Sequence, residues 1–290
     1  RSHGGIFPNP GEGPVWWKEG GFLVWSDIGH SRTMKWVDGQ EFSVFREPTN
    51  YANGLTRDPQ GRLVACEQGL RRVTRIEHDG SVTVIANSYK GKQLNRPNDV
   101  VVTSDGSTYF TDPGAPAPGH DLDFSGVFRV SPDLGDITLL IRNFTSPNGL
   151  TFSPDEKILY LVHARNRQLW AFDVQSNGSL NLASQRMIYE IEPSAPRGVF
   201  DGMKTDMEGN VYMAGPGGIW VVAPSGQHLG TIWVRETPHP EILKILPWRD
   251  QTVNIGFGRD DWKTLFYCGM GTIGRIQLKV AGVPVPRGPL

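Results

Sequence analysis

The chain has 290 residues, a formal net charge of −1 and a pI near 6.7. A nearly neutral chain offers no basic surface for nucleic acid, and its apolar runs are too short to cross a bilayer. Glycine and proline, with 35 and 22 residues, beside 38% hydrophobic residues are typical of short strands separated by turns. We therefore expect an all-β protein with a small-molecule partner, not nucleic acid or a membrane, and leave its oligomeric state open.

The two cysteines, Cys66 and Cys268, are too few for a disulfide framework and lack the spacing of a zinc site. We interpret both as reduced core thiols, which favours a cytoplasmic location, with the periplasm or secretion left open. No signal-peptide pattern opens the sequence. Residues 1–5 are expected to be a cloning remnant, so a removed signal peptide also stays open.

Six segments of the chain align without gaps and define an internal repeat. Each begins with a polar residue that leads one short strand, and a second strand starts nine positions later. These leading residues are Glu12, Asn53, Asn98, Asn148, Asp201 and Asn254. They are separated by 41, 45, 50, 53 and 53 positions, a period typical of propeller blades. We therefore predict a six-bladed β-propeller.

A third strand is expected in each repeat after the leading pair, and a fourth strand in the first five. Third strands are predicted at 33–37, 72–77, 126–130, 168–174, 218–223 and 274–279. Fourth strands follow in the first five repeats, for example at 42–46 and 231–235, which makes the blades four-stranded. The sixth repeat lacks a clear fourth strand, so we expect a terminal segment to complete it and protect the open edge. We therefore expect residues 1–290 to form a single domain.

Two stacked β-sandwiches are the alternative to a propeller, because they also contain short strands at even spacing. A sandwich does not require the same polar residue at the same point of six consecutive units. The register of the leading residues therefore favours the propeller.

The leading residues are expected to surround a metal ion. The innermost strands of a propeller line its axis, so the residues that head them converge there from different blades. The ring contains four amides and two carboxylates, Glu12 and Asp201, with a formal charge of −2. Two carboxylates in a narrow channel repel each other, and a divalent cation removes that repulsion. Oxygen ligands favour Ca²⁺, then Mg²⁺ or Mn²⁺; the alternative is a ring that only orders water.

Five short motifs, in blade order, resemble one family of proteins. They are Glu12-Gly-Pro-Val-Trp16, Arg96-Pro-Asn-Asp-Val100, Tyr109-Phe-Thr-Asp-Pro113, Pro147-Asn-Gly-Leu-Thr-Phe-Ser-Pro-Asp155 and Asp201-Gly-Met203. The chain resembles the regucalcin/gluconolactonase (senescence marker protein-like) family of β-propeller lactonases, and more distantly the paraoxonases and diisopropyl-fluorophosphatase. The motifs span the first to the fifth blade, and the sixth blade fits by the repeat alone.

The resemblance implies a gluconolactonase-like carboxylic-ester hydrolase that opens a sugar lactone or related cyclic ester with the help of a metal. Carried over by position, it implies Glu12, Asn148 and Asp201 as metal ligands, with Asn98 as a further ligand or substrate contact. It also implies that Arg96 contacts substrate oxygens. One ion is expected, Ca²⁺ first, with Zn²⁺, Mn²⁺, Mg²⁺ or Fe²⁺ as alternatives.

The loops that follow the second strands are expected to form the walls of the pocket, on the same face as the metal. They are residues 26–32, 67–70, 112–125, 163–167, 215–218 and 269–274. The longest of them, 112–125, is interpreted as a lid that carries His120. His163 begins the fourth loop, where many family members have an aspartate- or serine-containing stretch, so the identity of the substrate stays open.

Aromatic residues are expected both in the pocket and between the blades. Those expected in the pocket walls are Trp16, Tyr109, Phe124 and Trp170. Those expected to pack between blades include Trp25, Trp220 and Trp233. Tyr109, His120 and His163 complete the predicted set of substrate contacts.

The expected reaction is opening of the lactone by water. The metal polarises the carbonyl, Asp201 activates the water, and Arg96 with Asn98 orients the substrate. His163, or else His120, is the rival base, because a carboxylate that binds a metal is a weak base. No Ser-His-Asp or Cys-His order predicts covalent catalysis.

Three other functions remain as alternatives. The same metal site would suit an esterase or organophosphate hydrolase, because a fold does not fix its substrate. A non-enzymatic calcium-binding or ligand-binding propeller is the second alternative. The third is a metal-free propeller enzyme like strictosidine synthase, which is expected to lack the acidic ring.

Overall fold

The computed structural model describes residues 11–114, 119–142, 144–234, 251–269 and 271–288. These residues form six antiparallel blade sheets, one for each predicted repeat, and one two-stranded hairpin, and each blade pairs its strands in chain order. The described helices are two short 3₁₀ turns, Lys18–Gly20 and Ile28–His30. Within these ranges, no helix has the length and apolar character that a membrane span requires.

The first three blades each contain four strands. Blade one consists of β1 Gly11–Trp17, β2 Phe22–Asp27, β3 Arg32–Val37 and β4 Ser43–Arg46. Blade two consists of β5 Ala52–Arg57, β6 Leu63–Glu67, β7 Arg72–Ile76 and β8 Val82–Ala86. A small hairpin, β9 Ser88–Tyr89 and β10 Lys92–Gln93, connects to the third blade. Blade three consists of β11 Val100–Val102, β12 Thr108–Asp112, β13 Gly126–Val130 and β14 Ile137–Arg142.

Blades four and five also have four strands, and blade six has three among the described residues. Blade four consists of β15 Pro147–Phe152, β16 Ile158–His163, β17 Gln168–Val174 and β18 Leu180–Glu190. Blade five consists of β19 Met203–Thr205, β20 Val211–Gly215, β21 Gly218–Val222 and β22 His228–Trp233. Blade six consists of β23 Thr252–Gly258, β24 Thr264–Gly269 and β25 Ile273–Gln277.

Burial decreases from the inner to the outer strand of a blade, which explains the sequence pattern of each. The inner strands β5 and β23 are buried along their whole length, including polar residues such as Asn53, Arg57 and Asn254. The outer strand β4 is mostly exposed. The inner strands contact one another in order around the axis, and β1 contacts both β5 and β23, which closes the ring. The predicted six-bladed propeller is therefore confirmed.

The C-terminal segment does not supply the fourth strand that we expected for blade six. Strand β25 pairs with β24 alone among the described residues, and residues 1–10 lie outside them. Residues 281–287 instead cross blade five toward blade four. Val283 donates its N–H to Thr205 O at 3.0 Å, and the Arg287 guanidinium donates to Phe152 O at 3.1 Å. The segment therefore covers the end of the inner strands opposite to their leading residues.

Several aromatic residues occupy positions different from those predicted. Trp16 is 3% exposed and stacks on Phe266 with ring centroids 5.5 Å apart, so it packs between blades one and six and not in the wall of the axial site. Trp25 and Trp220 are buried, as predicted. Trp233 is 60% exposed, so the prediction that it packs between blades is wrong. Alternation along a strand does not distinguish a residue that faces a neighbouring blade from one that faces a pocket.

Candidate functional site

The six leading residues stand where the innermost strands begin, at one end of the channel. In blades one, two, four and six the strand register shifts at this point: between Glu12 and Val15 in β1, and likewise in β5, β15 and β23. A β-bulge turns side chains out of the regular alternation of a strand. Asn98 and Asp201 are the second residues before β11 and β19. The predicted ring of leading residues therefore forms at a single level of the axis.

Glycine follows the leading residue in four of the blades, at Gly13, Gly54, Gly149 and Gly202. A Cβ atom at Gly202 would clash with the side-chain amide of Asn254, and one at Gly149 would clash with the Asp201 carbonyl. The Gly202 N–H donates to Val253 O at 2.8 Å. Because these glycines have no side chain, neighbouring blades approach closely enough for their leading residues to meet.

Replacing Gly202 by alanine is expected to destabilise the fold, because the added methyl group must displace Asn254. Overpacking of this kind costs about 1–3 kcal/mol, which urea denaturation measures. Gly135→Ala is the control, since a Cβ there would lie 3.4 Å from its nearest neighbours, in ordinary contact. A Gly202→Ala protein as stable as the wild type would contradict this account of the ring.

Glu12 and Asp201 are the two carboxylates that the sequence placed in the ring. Glu12 is buried, and its Oε2 accepts hydrogen bonds from Asn254 Nδ2 at 2.8 Å and from the Gly13 N–H at 3.3 Å. Burial raises the pKa of Glu12 well above its usual range, and the negative charge of Asp201 adds to the increase. Burial likewise raises the pKa of Asp201 to about 7, although Asn148 donates a hydrogen bond to it.

Asp99 is a third carboxylate at this site and was not among the predicted residues. Asp99 occupies the position directly after the leading residue, where four other blades have a glycine. This departure from the repeat is the sequence signal that would have identified Asp99 as a candidate site residue. Asp99 is 1% exposed, and its charge raises the pKa of both Glu12 and Asp201. Burial raises the pKa of Asp99 itself. Fully ionised, the site therefore carries three negative charges.

Three buried oxygen atoms at this level have no hydrogen-bond partner in the described part of the chain. They are Asn53 Oδ1, Asp99 Oδ2 and Asn148 Oδ1. Buried acceptors are usually satisfied, so such a group marks a place for a donor, water or cation. Over the described ranges, no group of three or more His, Cys, Asp or Glu residues is arranged to hold a metal. The amide oxygens would therefore have to contribute ligands, and the donor set fits a hard cation.

Asp112 fixes the segment that carries Arg96 and Asn98. It is fully buried at the end of β12, where it accepts hydrogen bonds from the backbone N–H groups of Asn95, at 2.8 Å, and of Arg96. The Arg96 side chain is exposed, and its Nε donates to Gln68 Oε1 at 3.0 Å. Asn98 is partly exposed, and its backbone N–H donates to Thr111 O at 2.8 Å. Both residues are therefore held at the entrance to the ring.

Tyr109 lies away from this entrance, which corrects its prediction as a substrate contact. The ring is 2% exposed in the core between blades three and four, and its hydroxyl donates to Gly178 O at 2.8 Å. Burial raises its pKa to about 12. Phe124, another predicted pocket wall, is also buried in the core, at 5% exposure. Trp170 is partly buried, with its ring centroid 6.3 Å from that of Phe144.

The two predicted histidines occupy different surroundings. His163 ends β16, is 9% exposed and packs against Phe144 with ring centroids 5.0 Å apart. Burial lowers its pKa, and its Nδ1 accepts the Asn166 N–H at 3.3 Å. His120 is partly buried near Asp112. Burial raises the pKa of that carboxyl, and His120 offsets a small part of the increase. Residues 115–118 of the predicted lid lie outside the described residues.

The fold and the axial ring together define a six-bladed β-propeller with an acidic, oxygen-lined site at one end of its channel. The profile described as SMP-30/Gluconolactonase/LRE-like region matches residues 10–243. The chain belongs to the SMP-30/gluconolactonase/LRE-like family, which confirms the resemblance carried by the sequence motifs.

Three relatives illustrate the similarity. Gluconolactonase from Zymomonas mobilis is 33% identical over 248 residues, which cover 76% of this chain and 68% of that protein. The structure of a gluconolactonase from Xanthomonas campestris is 31% identical, with a TM-score of 0.79 over 93% of this chain and 86% of the other. The calcium-binding protein regucalcin from Agrobacterium tumefaciens, 18% identical with a TM-score of 0.77 over 98% of both chains, shares the fold. Relatives named as gluconolactonases and lactonases support the predicted enzyme class, a lactonase.

Proposed function

We propose that this chain is a metal-dependent hydrolase that opens the ring of a sugar lactone or related cyclic ester. The axial ring carries the proposal. Glu12 is buried and Asp201 is partly buried, each with a raised pKa, beside the unpartnered oxygen of Asn148. Enclosed like charges without a counter-ion are unfavourable, and a divalent cation offsets that cost.

Glu12, Asn148 and Asp201 would hold one cation, with Asn98 as a fourth ligand or a substrate contact. All four side chains offer oxygen, so Ca²⁺ is the first choice and Mg²⁺ or Mn²⁺ the next. Zn²⁺ and Fe²⁺ are less suited, because the site contains no histidine or cysteine among these four residues. When bound, the cation would supply Lewis-acid polarisation of the lactone carbonyl.

Asp201 is the proposed general base. Asp201 is partly exposed, and Asn148 donates a hydrogen bond that holds its carboxylate in place. It would take a proton from the attacking water, whose oxygen forms the new bond to the carbonyl carbon. The proton would then pass to the ring oxygen as the C–O bond breaks, which gives the open hydroxy acid.

Arg96 is the proposed substrate-orienting residue. Its guanidinium is exposed at the entrance to the ring, while Asp112 anchors the backbone beneath it. A guanidinium presents several donors in a fixed plane, which suits the hydroxyl and ring oxygens of a sugar lactone. Asn98, two residues further along the same segment, would contact the substrate from the metal side.

His163 is better suited to donate a hydrogen bond than to act as the base. Its lowered pKa keeps the ring neutral at pH 7, and the Nδ1 lone pair is taken by the Asn166 N–H. The ring proton of the neutral form therefore resides on Nε2. His120 has no partner at Nδ1 among the described residues, so it stays a candidate substrate contact in the 112–125 loop.

Replacing His163 by glutamine is expected to lower kcat/KM by less than about tenfold and to leave the pH profile of kcat unchanged, because glutamine also donates a hydrogen bond. Steady-state kinetics across the pH range provide the measurement. If His163 were the base, kcat would fall by about 10²–10⁴-fold, and the acidic limb of the profile would disappear.

Two other functions are compatible with the same ring: ester or organophosphate hydrolysis, and cation binding without catalysis. A pH-stat assay with Ca²⁺ or Mn²⁺ added distinguishes them, using an aldonolactone, an unsubstituted lactone, an aryl ester and a phosphotriester as substrates. We expect the highest kcat/KM for the lactones. Turnover of the aryl ester or phosphotriester alone would favour the esterase or organophosphatase function. Cation binding without turnover of any substrate would favour the binding protein.

A further inference from the structure

A small cavity lies in the channel below the ring of leading residues. Its volume is about 20 Å³, and inner-strand residues from four blades line it together with the C-terminal segment. The inner-strand residues include Thr56, Val101, Thr151 and Lys204, each of which stands three positions after the leading residue of its blade. These side chains therefore form a second layer of the channel, directly beneath the ring.

Lys204 is the only charged residue in this layer. The equivalent residues of the other blades are uncharged: Val15, Thr56, Val101, Thr151 and Phe257. The Lys204 side chain is partly buried, and its Nζ donates to Met203 O at 3.0 Å. The two arginines that line the cavity, Arg57 and Arg287, are each paired with a glutamate, Glu19 and Glu156 respectively.

The Lys204 ammonium acts on the acidic ring. It lines the same cavity as Val100, the residue directly after Asp99. Burial raises the pKa of Asp99, and the positive charge of Lys204 offsets part of that increase. When fully ionised, Glu12, Asp99 and Asp201 contribute three negative charges and Lys204 contributes one positive charge, so the charges of the two layers sum to −2. One divalent cation would bring that sum to zero.

We propose that Lys204 is an internal counter-charge of the axial ring, which stabilises the metal-free protein and weakens the binding of the divalent cation. The inference rests on the metal site of the proposed function. Without bound metal, the ammonium offsets part of the repulsion among Glu12, Asp99 and Asp201. With metal bound, the same ammonium repels the cation, because interactions between charges in a narrow, protein-lined channel are only weakly screened.

Lys204→Met tests the proposal, since it removes the charge and keeps most of the length of the side chain. The protein is stripped of metal with EDTA, dialysed, and titrated with CaCl₂ and with MnCl₂ by isothermal calorimetry. We expect the Kd of Lys204→Met to be about tenfold lower than that of the wild type. The metal-free variant should melt at a lower temperature than the metal-free wild type, and added cation should raise its Tm by more.

Two further variants serve as controls. Lys204→Arg keeps the charge, so its Kd should stay within about twofold of the wild type. Lys157→Met removes the charge of a lysine whose side chain is 80% exposed at the surface, and should leave the Kd unchanged. If Lys204→Met does not fold without metal, it is purified with Mn²⁺ and its affinity is read by competition with a chelator.

An equal or higher Kd for Lys204→Met would overturn the role of Lys204. In that case the wild type would still bind the cation and hydrolyse lactones, so the proposed function would stand. A wild type that binds no cation would overturn both. Activity is not needed for either measurement, so the charge effect is read separately from catalysis.

Discussion

Replacing Asp201 by asparagine is expected to lower kcat/KM for lactone opening by at least about 10³-fold. The substitution removes the proposed base and one proposed metal ligand, while an amide fits the space of the carboxylate. It also removes a negative charge that raises the pKa of Glu12, so the metal-free protein should remain folded. Proton release in a pH-stat measures the activity, circular dichroism checks the fold, and calorimetry measures the affinity for the cation.

Asp155→Asn is the matched control for this substitution. Its carboxylate is 57% exposed in the turn between β15 and β16, at the other end of the inner strand from the ring. We expect this variant to keep wild-type activity and metal affinity. An Asp201→Asn protein that is folded and fully active would exclude Asp201 as the base, whatever ion is bound.

Removal of the metal is expected to abolish activity and to destabilise the protein. Excess EDTA should stop lactone opening, and a single equivalent of one ion per chain should restore it. The same ion should raise the Tm, because a ligand that binds only the folded state stabilises it by about 2.7 kcal/mol at a hundredfold excess over its Kd. Proton-release assays and thermal denaturation across a series of ions provide the two measurements.

The Glu12→Gln variant distinguishes loss of the metal site from general effects of the chelator on the protein. Glutamine keeps a side-chain oxygen but not the charge, so we expect the Kd for the ion to rise by about a hundredfold or more. EDTA saturated with Ca²⁺ in advance should leave the wild type active, which controls for the chelator itself. Full activity of the wild type in excess free chelator would contradict the metal-dependent mechanism.

The architecture could be predicted from the sequence because a propeller repeats one local pattern. Each blade buries its inner strand and exposes its outer strand, so the same alternation of apolar, polar and turn residues recurs with each blade. Six leading residues in one register then indicate a common level on the axis. The strands of all six blades lie close to their predicted positions, for example β3 at Arg32–Val37 and β13 at Gly126–Val130.

The site was predictable only in part, because a side chain's position in a repeat does not determine which way it faces. Tyr109 belongs to a motif of the family, yet it faces a neighbouring blade. Asp99 follows a leading residue and was therefore overlooked, although it is one of the most deeply buried carboxylates at the ring. Nothing in the sequence distinguishes Lys204 from other strand residues. Its charge affects the proposed metal site only because it lies in the channel.

The sequence by itself determined the number of blades, the level of the axial ring and the family, because each depends on a pattern that recurs along the chain. The tertiary structure decided which carboxylates share the channel, which aromatic residues are enclosed between blades, and where the C-terminal segment runs. Electrostatic interactions and burial depend on distances between residues far apart in the chain, such as Glu12 and Asn254. Those distances are fixed only when the last blade packs against the first and closes the propeller.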